Sequence, residues 1–297
     1  MLVAGDRNPR TGRESEGVAE VRLTRAPKSV LIVGAGPAGM QAAIAAARNG
    51  HVVTVLEAHA EAGGQVRLAA SVPNRAEFGD LVRNQVSECR RLGVRIEYGV
   101  WADAAEIRRR NPDRVIIATG ARAARPWWAP ADADWIVDVR DVLDGTAHPV
   151  GDVVVLDELG FHHATSVAEL LADRGAAVEV ITNGMVVGQD LGITLDMENW
   201  WIRANSKGIT QTTEMVPMGV DVAPDGTKTV DFQHHPTGQM RRRTPDWVVL
   251  AVPADPVEEL YLELRDAGVA VERVGDCVAP RRAHAAVVDG ERAGAAV

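Results

Sequence analysis

Three glycines, Gly34, Gly36 and Gly39, stand at fixed spacing directly after the β-branched apolar run Ser29–Val33. The run predicts a buried parallel strand, and the Ala-rich segment after it predicts a helix that begins at about Ala38. In this context the first glycine permits a tight turn, the second lets the backbone approach a pyrophosphate, and the third lets the helix pack closely on the strand. The spacing therefore predicts a strand–loop–helix unit that binds a dinucleotide at the helix N-terminus.

Further residues extend this predicted site. Glu57 ends the next strand, about 20 residues on, where a carboxylate accepts hydrogen bonds from the adenosine ribose. Pro37 and Ala38 begin the helix whose free N–H groups and positive end face the phosphates. A second glycine loop follows, and its residues Gly64 and Gln65 are placed to run beside the pyrophosphate and ribitol. Together these residues predict binding of the ADP half of a dinucleotide.

A second strand–helix–strand pattern begins at Asp152, and strand and helix patterns return near the C-terminus. Two such units in one chain, with a terminal segment left over, predict an α/β protein. Its fold would be two Rossmann-like dinucleotide-binding domains, the second inserted into the first. The predicted boundaries are an N-terminal arm over 1–27, a FAD-type domain over 28–148 and 254–297, and a degenerate NAD(P)-binding-like domain over 149–253.

The glycine loop of the second domain is degenerate. Aligned on the strand Val153–Leu156, its fingerprint positions hold Asp157, Leu159 and His162 instead of glycine. A leucine at the central position puts a side chain where a pyrophosphate must approach, and Asp157 and Glu158 place negative charge beside it. We therefore expect that this domain has lost ordinary NAD(P)H binding.

Composition argues against several classes of function. The net charge of −9 argues against a nucleic-acid binder, because phosphate binding needs a concentrated basic face. No apolar run is long enough to cross a bilayer and the N-terminus is polar, so a cytoplasmic protein without membrane attachment is expected.

Cys89 and Cys277 form no CxxC, which excludes a redox dithiol or a cysteine-only iron–sulfur site within the chain. His234 and His235 lack nearby Cys or carboxylate partners at ligand spacing, so no metal site is expected.

Two segments resemble FAD enzymes of the glutathione-reductase type. Gly275 and Asp276 resemble their C-terminal GD motif, and the resemblance implies that the Asp bonds the FAD ribitol. Because an ADP-only site has no need of ribitol contacts, complete FAD is the favoured cofactor, with ADP alone as the alternative. Residues 115–120 resemble the ATG strand of those enzymes through their last three residues, Ala118, Thr119 and Gly120.

Residues at both ends of the chain carry a narrower resemblance. The segments 279–282 and 288–290 resemble the C-terminal half of the trimethylamine dehydrogenase and 2,4-dienoyl-CoA reductase family. Asn8–Glu14 resembles the segment that follows the last cluster cysteine in that family, and Gly5 stands where that cysteine is expected. Pro253 stands where a second Thr-Gly pair would be usual. Members place an FMN-binding TIM barrel and a [4Fe–4S] cluster before their FAD- and NAD(P)-binding-like domains.

The resemblance implies an FAD-dependent oxidoreductase subunit or module that relays electrons within a larger flavoenzyme. Its partner would be an FMN/[4Fe–4S] TIM-barrel protein in a hetero-oligomer, or the missing part of a longer chain. In that family dienoyl-CoA reductases pass electrons from NADPH through FAD, whereas trimethylamine dehydrogenase holds ADP in place of FAD. Two alternatives stay open: a non-catalytic ADP- or FAD-binding scaffold, and a free-standing NAD(P)H-dependent flavin reductase. No acid–base constellation marks catalytic residues, and nothing selects among a methylated amine, a betaine or an enone as the substrate.

Overall fold

The computed structural model describes residues 8–12 and 23–297. Most of the predicted arm over 1–27, including Gly5, lies outside the described residues. The described chain divides into two compact units. The first unit comprises the described residues up to Ala70, together with Ala76–Arg122 and Ala254–Val297, and the second comprises Ser71–Arg75 and Ala123–Pro253. The predicted α/β fold, with one dinucleotide-binding-type unit inserted into another, is confirmed.

The first unit is built on a five-stranded parallel sheet whose buried strands are rich in valine, leucine and isoleucine, as parallel strands covered on both faces are. The elements up to residue 122 are β1 (Ser29–Val33), α1 (Pro37–Arg48), β2 (Val52–Glu57), α2 (Gln65–Ser71), a 3₁₀ turn (Ala76–Phe78), α3 (Gly79–Arg91), β3 (Arg95–Tyr98), α4 (Ala104–Arg110), β4 (Arg114–Ile117) and β5 (Ala121–Arg122).

The second unit contains its own five-stranded parallel sheet and a three-stranded antiparallel sheet. Fully buried side chains such as Trp200, Leu171 and Phe232 form its cores. Its elements are β6 (Ile136–Asp138), α5 (Val139–Asp144), β7 (Asp152–Asp157), α6 (His162–Asp173), β8 (Ala177–Thr182), a 3₁₀ helix (Gln189–Thr194), α7 (Met197–Ser206), β9 (Thr210–Thr212), β10 (Met215–Val222), β11 (Lys228–His234), β12 (Gln239–Arg243) and β13 (Trp247–Ala251).

The chain then returns to complete the first unit. The strand β15 (Val271–Arg273) pairs in parallel with β4, so that the first sheet has the order β15-β4-β1-β2-β3. The second parallel sheet has the order β6-β13-β7-β8-β9. The returning elements are β14 (Asp255–Pro256), α8 (Glu259–Asp266), β15 (Val271–Arg273), a 3₁₀ turn (Gly275–Cys277) and α9 (Ala283–Ala295).

The first domain boundary differs from the predicted one at residue 148. Residues 123–148 belong to the second unit, because β6 pairs in parallel with β13. Trp128 and Trp135 are buried in the same core as Phe232. The Trp- and Pro-rich stretch predicted to be a connection therefore contributes core side chains to the second unit.

Helices α1 and α9 pack through small residues. A Cβ at Gly290 would lie 2.2 Å from the carbonyl oxygen of Ala38. We expect Gly290→Ala to lower the free energy of unfolding by about 2 kcal/mol, because the helices must separate to admit a methyl group. Urea unfolding measures this effect. Gly192→Ala, whose Cβ meets nothing within 4 Å, is the control, and an equal urea midpoint for both variants would contradict the prediction.

Candidate functional site

The three glycines at the junction of β1 and α1 differ in the space around them. Gly34 has a φ of +104°, and a Cβ there would lie 2.3 Å from the carbonyl oxygen of Ala118. A Cβ on Gly39 would lie 2.0 Å from the carbonyl oxygen of Gly34. A Cβ on Gly36 would meet nothing within 4 Å. Packing within the protein therefore requires the first and third glycines, whereas the second faces open space.

That open space lies at the N-terminus of α1. Gly36 is the N-cap residue, Pro37 occupies the start of the helix, and no side chain caps the first turn. The first turn also carries no acidic residue that would oppose an anion. A helix N-terminus of this kind presents backbone N–H groups and a partial positive charge. The residues present here fit a pyrophosphate group.

Glu57 is buried at the carboxyl end of β2 and holds the glycine loop in place. Its Oε2 accepts a hydrogen bond from Ala35 N at 2.7 Å, and its Oε1 accepts one from His59 N at 2.9 Å. The His59 ring Nδ1 lies 2.8 Å from the same Oε1. A carboxylate has about four lone-pair sites, so acceptor capacity remains for ribose hydroxyls. The contribution of His59 was not predicted, since a histidine two residues after a strand gives no distinctive pattern.

The second glycine loop lies against the first. Gly63 N donates to the carbonyl oxygen of Ala35 at 2.8 Å, and a Cβ on Gly64 would lie 3.4 Å from the Gly36 Cα. Gln65 begins α2, and its Nε2 donates to Asp276 Oδ2 at 3.4 Å. The two predicted ribitol-side residues, Gln65 and Asp276, are therefore neighbours.

The remaining predicted residues surround the same loop. Ala118 N donates to the carbonyl oxygen of Val33 at 2.8 Å, and a Cβ on Gly275 would lie 2.7 Å from the Ala38 Cβ. Thr119 Oγ1 donates to the carbonyl oxygen of Val257 at 2.6 Å, so this hydroxyl has a protein partner. The adjacent Gly120 has a φ of +77° and open space around it. All the predicted site residues thus lie in the first unit, and their role in binding stays a prediction.

The corresponding loop of the second unit is one residue longer. Four residues, 158–161, separate β7 from α6, whereas three, 34–36, separate β1 from α1. Phe161 is therefore the N-cap of α6 and corresponds to Gly36. The alignment on the strand, which placed Leu159 at this central position, was wrong by two positions, because Asp157 extends the strand by one residue and the loop holds one residue more. A bulky side chain still stands where the fingerprint needs glycine.

Asp157 is fully buried, and its carboxylate is used within the second unit. Its Oδ1 accepts from Gly160 N at 2.8 Å, and its Oδ2 accepts from Gly188 N at 2.7 Å. Burial raises the pKa of Asp157, while the backbone hydrogen bonds oppose that shift. The carboxylate was expected to repel a pyrophosphate. Instead, it joins two loops of its own unit.

His162 fills the N-terminus of α6. Its Nδ1 lies 2.6 Å from Arg75 Nη2, and its Nε2 lies 3.2 Å from Thr194 Oγ1. Arg75 also forms an ion pair with Asp196 at 3.2 Å. Burial, with the Arg75 charge, lowers the pKa of His162 to about 3. The histidine is therefore neutral near pH 7, and protein side chains occupy the helix end.

This pKa shift predicts a pH-dependent stability. The unfolded chain binds a proton at His162 near pH 6.5, whereas the folded chain binds it only near pH 3. Because the unfolded state then holds more protons, the free energy of unfolding falls as the pH drops through this window. We expect wild type to lose more stability than His162→Gln between pH about 7 and about 5 in urea unfolding. His163→Gln, at the exposed neighbouring position, is the control, and parallel pH profiles for all three proteins would contradict the prediction.

Comparison with known proteins agrees with this fold. Residues 28–148 match the family model described as pyridine nucleotide-disulphide oxidoreductase. The chain is 32% identical to the N,N-dimethylglycine/sarcosine dehydrogenase of Chromohalobacter salexigens, over 96% of this chain and 46% of that protein. It is 32% identical to the NADH oxidase of Thermoanaerobacter brockii, over 91% of this chain and 41% of that protein.

A solved structure of 6-hydroxypseudooxynicotine amine oxidase from Pseudomonas geniculata N1 superposes with a TM-score of 0.90 and 27% identity. The superposition covers 98% of this chain and 46% of that one. Residues 28–148 thus carry a pyridine nucleotide-disulphide oxidoreductase domain, and the chain is related to one part of these larger dehydrogenases and oxidases. It spans less than half the length of the curated relatives it matches. Across residues 8–12 and 23–297, no helix is long and apolar enough to span a membrane.

Proposed function

We propose that the first unit binds FAD and that the chain relays electrons within a larger flavoenzyme. The observation that carries this proposal is the uncapped N-terminus of α1, with open space at Gly36 and Glu57 at the end of the neighbouring strand. Gln65 and Asp276 support FAD over ADP alone, since only the full cofactor has a ribitol for them to bond.

FAD, when bound, supplies the one- and two-electron redox chemistry. The chain's own residues would bind and orient it. The first turn of α1 would face the pyrophosphate, Glu57 would accept from the adenosine ribose, and Asp276 would accept from the ribitol. The Thr119 hydroxyl donates to the Val257 carbonyl and so would fix the end of β4 rather than bond the cofactor.

The second unit is proposed to lack ordinary NAD(P)H binding. Phe161 stands at the N-cap where glycine would admit a pyrophosphate, and His162 with Arg75 fills the helix end. Electrons would then pass to or from a partner. We propose that this partner is an FMN/[4Fe–4S] TIM-barrel protein or domain, in keeping with the resemblance to trimethylamine dehydrogenase. The assembly would be a cytoplasmic hetero-oligomer.

The similarity to a protein named NADH oxidase favours a second candidate, a free-standing NAD(P)H-dependent flavin reductase. This candidate requires the N-terminus of α6 to accept a pyrophosphate. Phe161 and the His162–Arg75 contact would both have to move for that to happen. A third candidate, a scaffold that holds ADP or FAD without redox turnover, requires only the first unit.

One spectroscopic experiment separates the three candidates. The absorbance of the purified chain is recorded before and after anaerobic addition of NADH or NADPH. Flavin bands near ~370 and ~450 nm that persist after addition support the relay, because oxidised bound flavin absorbs there. Rapid bleaching would instead establish the reductase. A chain without flavin bands that releases ADP on denaturation would be a scaffold.

A further inference from the structure

Trp101 presents a large apolar side chain to solvent at the edge of the first sheet. Trp101 is 84% exposed, although exposure of an apolar indole to water is unfavourable. It lies three residues beyond the end of β3, in the connection to α4. The adjacent strand in the sheet is β2, which ends on Glu57.

Backbone hydrogen bonds hold this connection against the end of β2. Gly99 N donates to the carbonyl oxygen of His59 at 3.1 Å, and Val100 N donates to that of Glu57 at 2.9 Å. His59 lies two residues beyond the end of β2, whereas Glu57, the acceptor for Val100, is the last residue of that strand. The next residue, Trp101, is therefore placed at the carboxyl edge of the sheet beside Glu57.

The two neighbours of Trp101 in the chain pack on the core. Val100 and Ala102 both pack against the core cluster that contains Val33 and Leu56. Trp101 stands between them and is left in solvent. These partly buried neighbours anchor the backbone on both sides of Trp101.

We propose that the indole of Trp101 stacks on the adenine ring of the bound dinucleotide. This inference rests on the proposed function, because it takes Glu57 as the acceptor for the adenosine ribose. The adenine is attached to that ribose, and a flat purine offers an apolar face to an exposed aromatic ring. Stacking of a base on an aromatic side chain covers apolar surface of both rings. Trp101 is then an affinity-determining residue for adenine and has no part in electron transfer.

The test measures the affinity of the full chain, freed of flavin, for ADP and for inorganic pyrophosphate by calorimetry. Trp101→Ala is expected to weaken ADP binding about tenfold, the loss expected for one base–aromatic stack. Trp101→Phe, which keeps a ring, is expected to weaken it less. The affinity for pyrophosphate should be equal in all variants. Trp127→Ala, at a tryptophan that is 79% exposed in the second unit, should bind ADP as wild type does.

The outcomes also separate this inference from the proposed function. ADP binding that is equal in wild type and Trp101→Ala would overturn the stacking alone and would point to a protein partner for the indole. A parallel loss of pyrophosphate affinity in Trp101→Ala would also overturn it, because the effect would then be on the loop. If wild type binds neither ADP nor FAD, both the proposed function and the stacking fail.

Discussion

Replacement of Gly36 with valine is expected to abolish dinucleotide binding while leaving the fold intact. The backbone of Gly36 has φ −74° and ψ 177°, a conformation that a β-branched residue adopts readily. A Cβ meets nothing within 4 Å, so no protein atom has to move. The added side chain instead fills the space at the N-terminus of α1 where the pyrophosphate must approach. The flavin content of the purified variant should be near zero, and its affinity for ADP should fall by about 100-fold or more.

The matched comparison is Gly39→Ala. Its Cβ would lie 2.0 Å from the carbonyl oxygen of Gly34, so this smaller substitution should lower the thermal midpoint as well as remove the cofactor. The midpoints are compared without ligand, because a bound ligand stabilises the folded state by itself. Retention of flavin by Gly36→Val would show that the cofactor does not lie at this helix end.

A second large effect is expected from Asp157→Ala. The substitution removes the acceptor of two backbone N–H groups, from Gly160 and Gly188, at a site with no exposed surface. Each buried donor left without a partner costs about 1–3 kcal/mol. The free energy of unfolding of the second unit should therefore fall by about 2–4 kcal/mol. Urea unfolding followed by tryptophan fluorescence suits this measurement, because Trp200 is buried in that unit.

Asp157→Asn provides the control for this prediction. Its amide oxygen can accept one of the two hydrogen bonds, but its NH₂ group would face the other N–H donor. The free energy of unfolding of Asp157→Asn is expected to lie between those of wild type and Asp157→Ala. If the three proteins unfold at the same urea concentration, the carboxylate does not hold the two loops together. Neither variant should change flavin content, since Asp157 lies in the second unit.

Local sequence was sufficient for the first loop. The strand Ser29–Val33 was predicted with its observed ends, and the glycine spacing identified the turn and the helix that follows. The close contact of Gly39 with Gly34 lies within one strand–loop–helix unit, and this local constraint is visible in the spacing. The contact of Gly34 with Ala118 joins residues 84 positions apart and was seen only in the fold. Gln65 and Asp276 are 211 positions apart, and only the resemblance to a known family connected them before the fold was seen.

The sequence pattern was not sufficient to predict the loop between β7 and α6. An alignment without gaps assigned the central position to Leu159, but the helix begins two residues later than this alignment requires, and Phe161 takes that place. Nothing in the local sequence reveals an inserted residue when the fingerprint glycines themselves are absent. The contact of His162 with Arg75, 87 positions earlier, is likewise a tertiary feature. The compact units divide after residue 122 rather than after 148 for a similar reason, since β6 joins a strand more than a hundred residues later.

The insertion of one unit into another also governs the order in which the molecule can assemble during synthesis. Apart from Ser71–Arg75, the second unit is continuous from Ala123 to Pro253, so nearly all of it is available before the first is complete. The first unit lacks an edge strand until β15 emerges, and α1 remains uncovered until α9 packs on it. Domains fold as units, and pairings between distant segments come late because chain closure is costly. Asp276 also lies in that returning segment, so a nascent chain would gain its full affinity for the cofactor only after this segment has been synthesised.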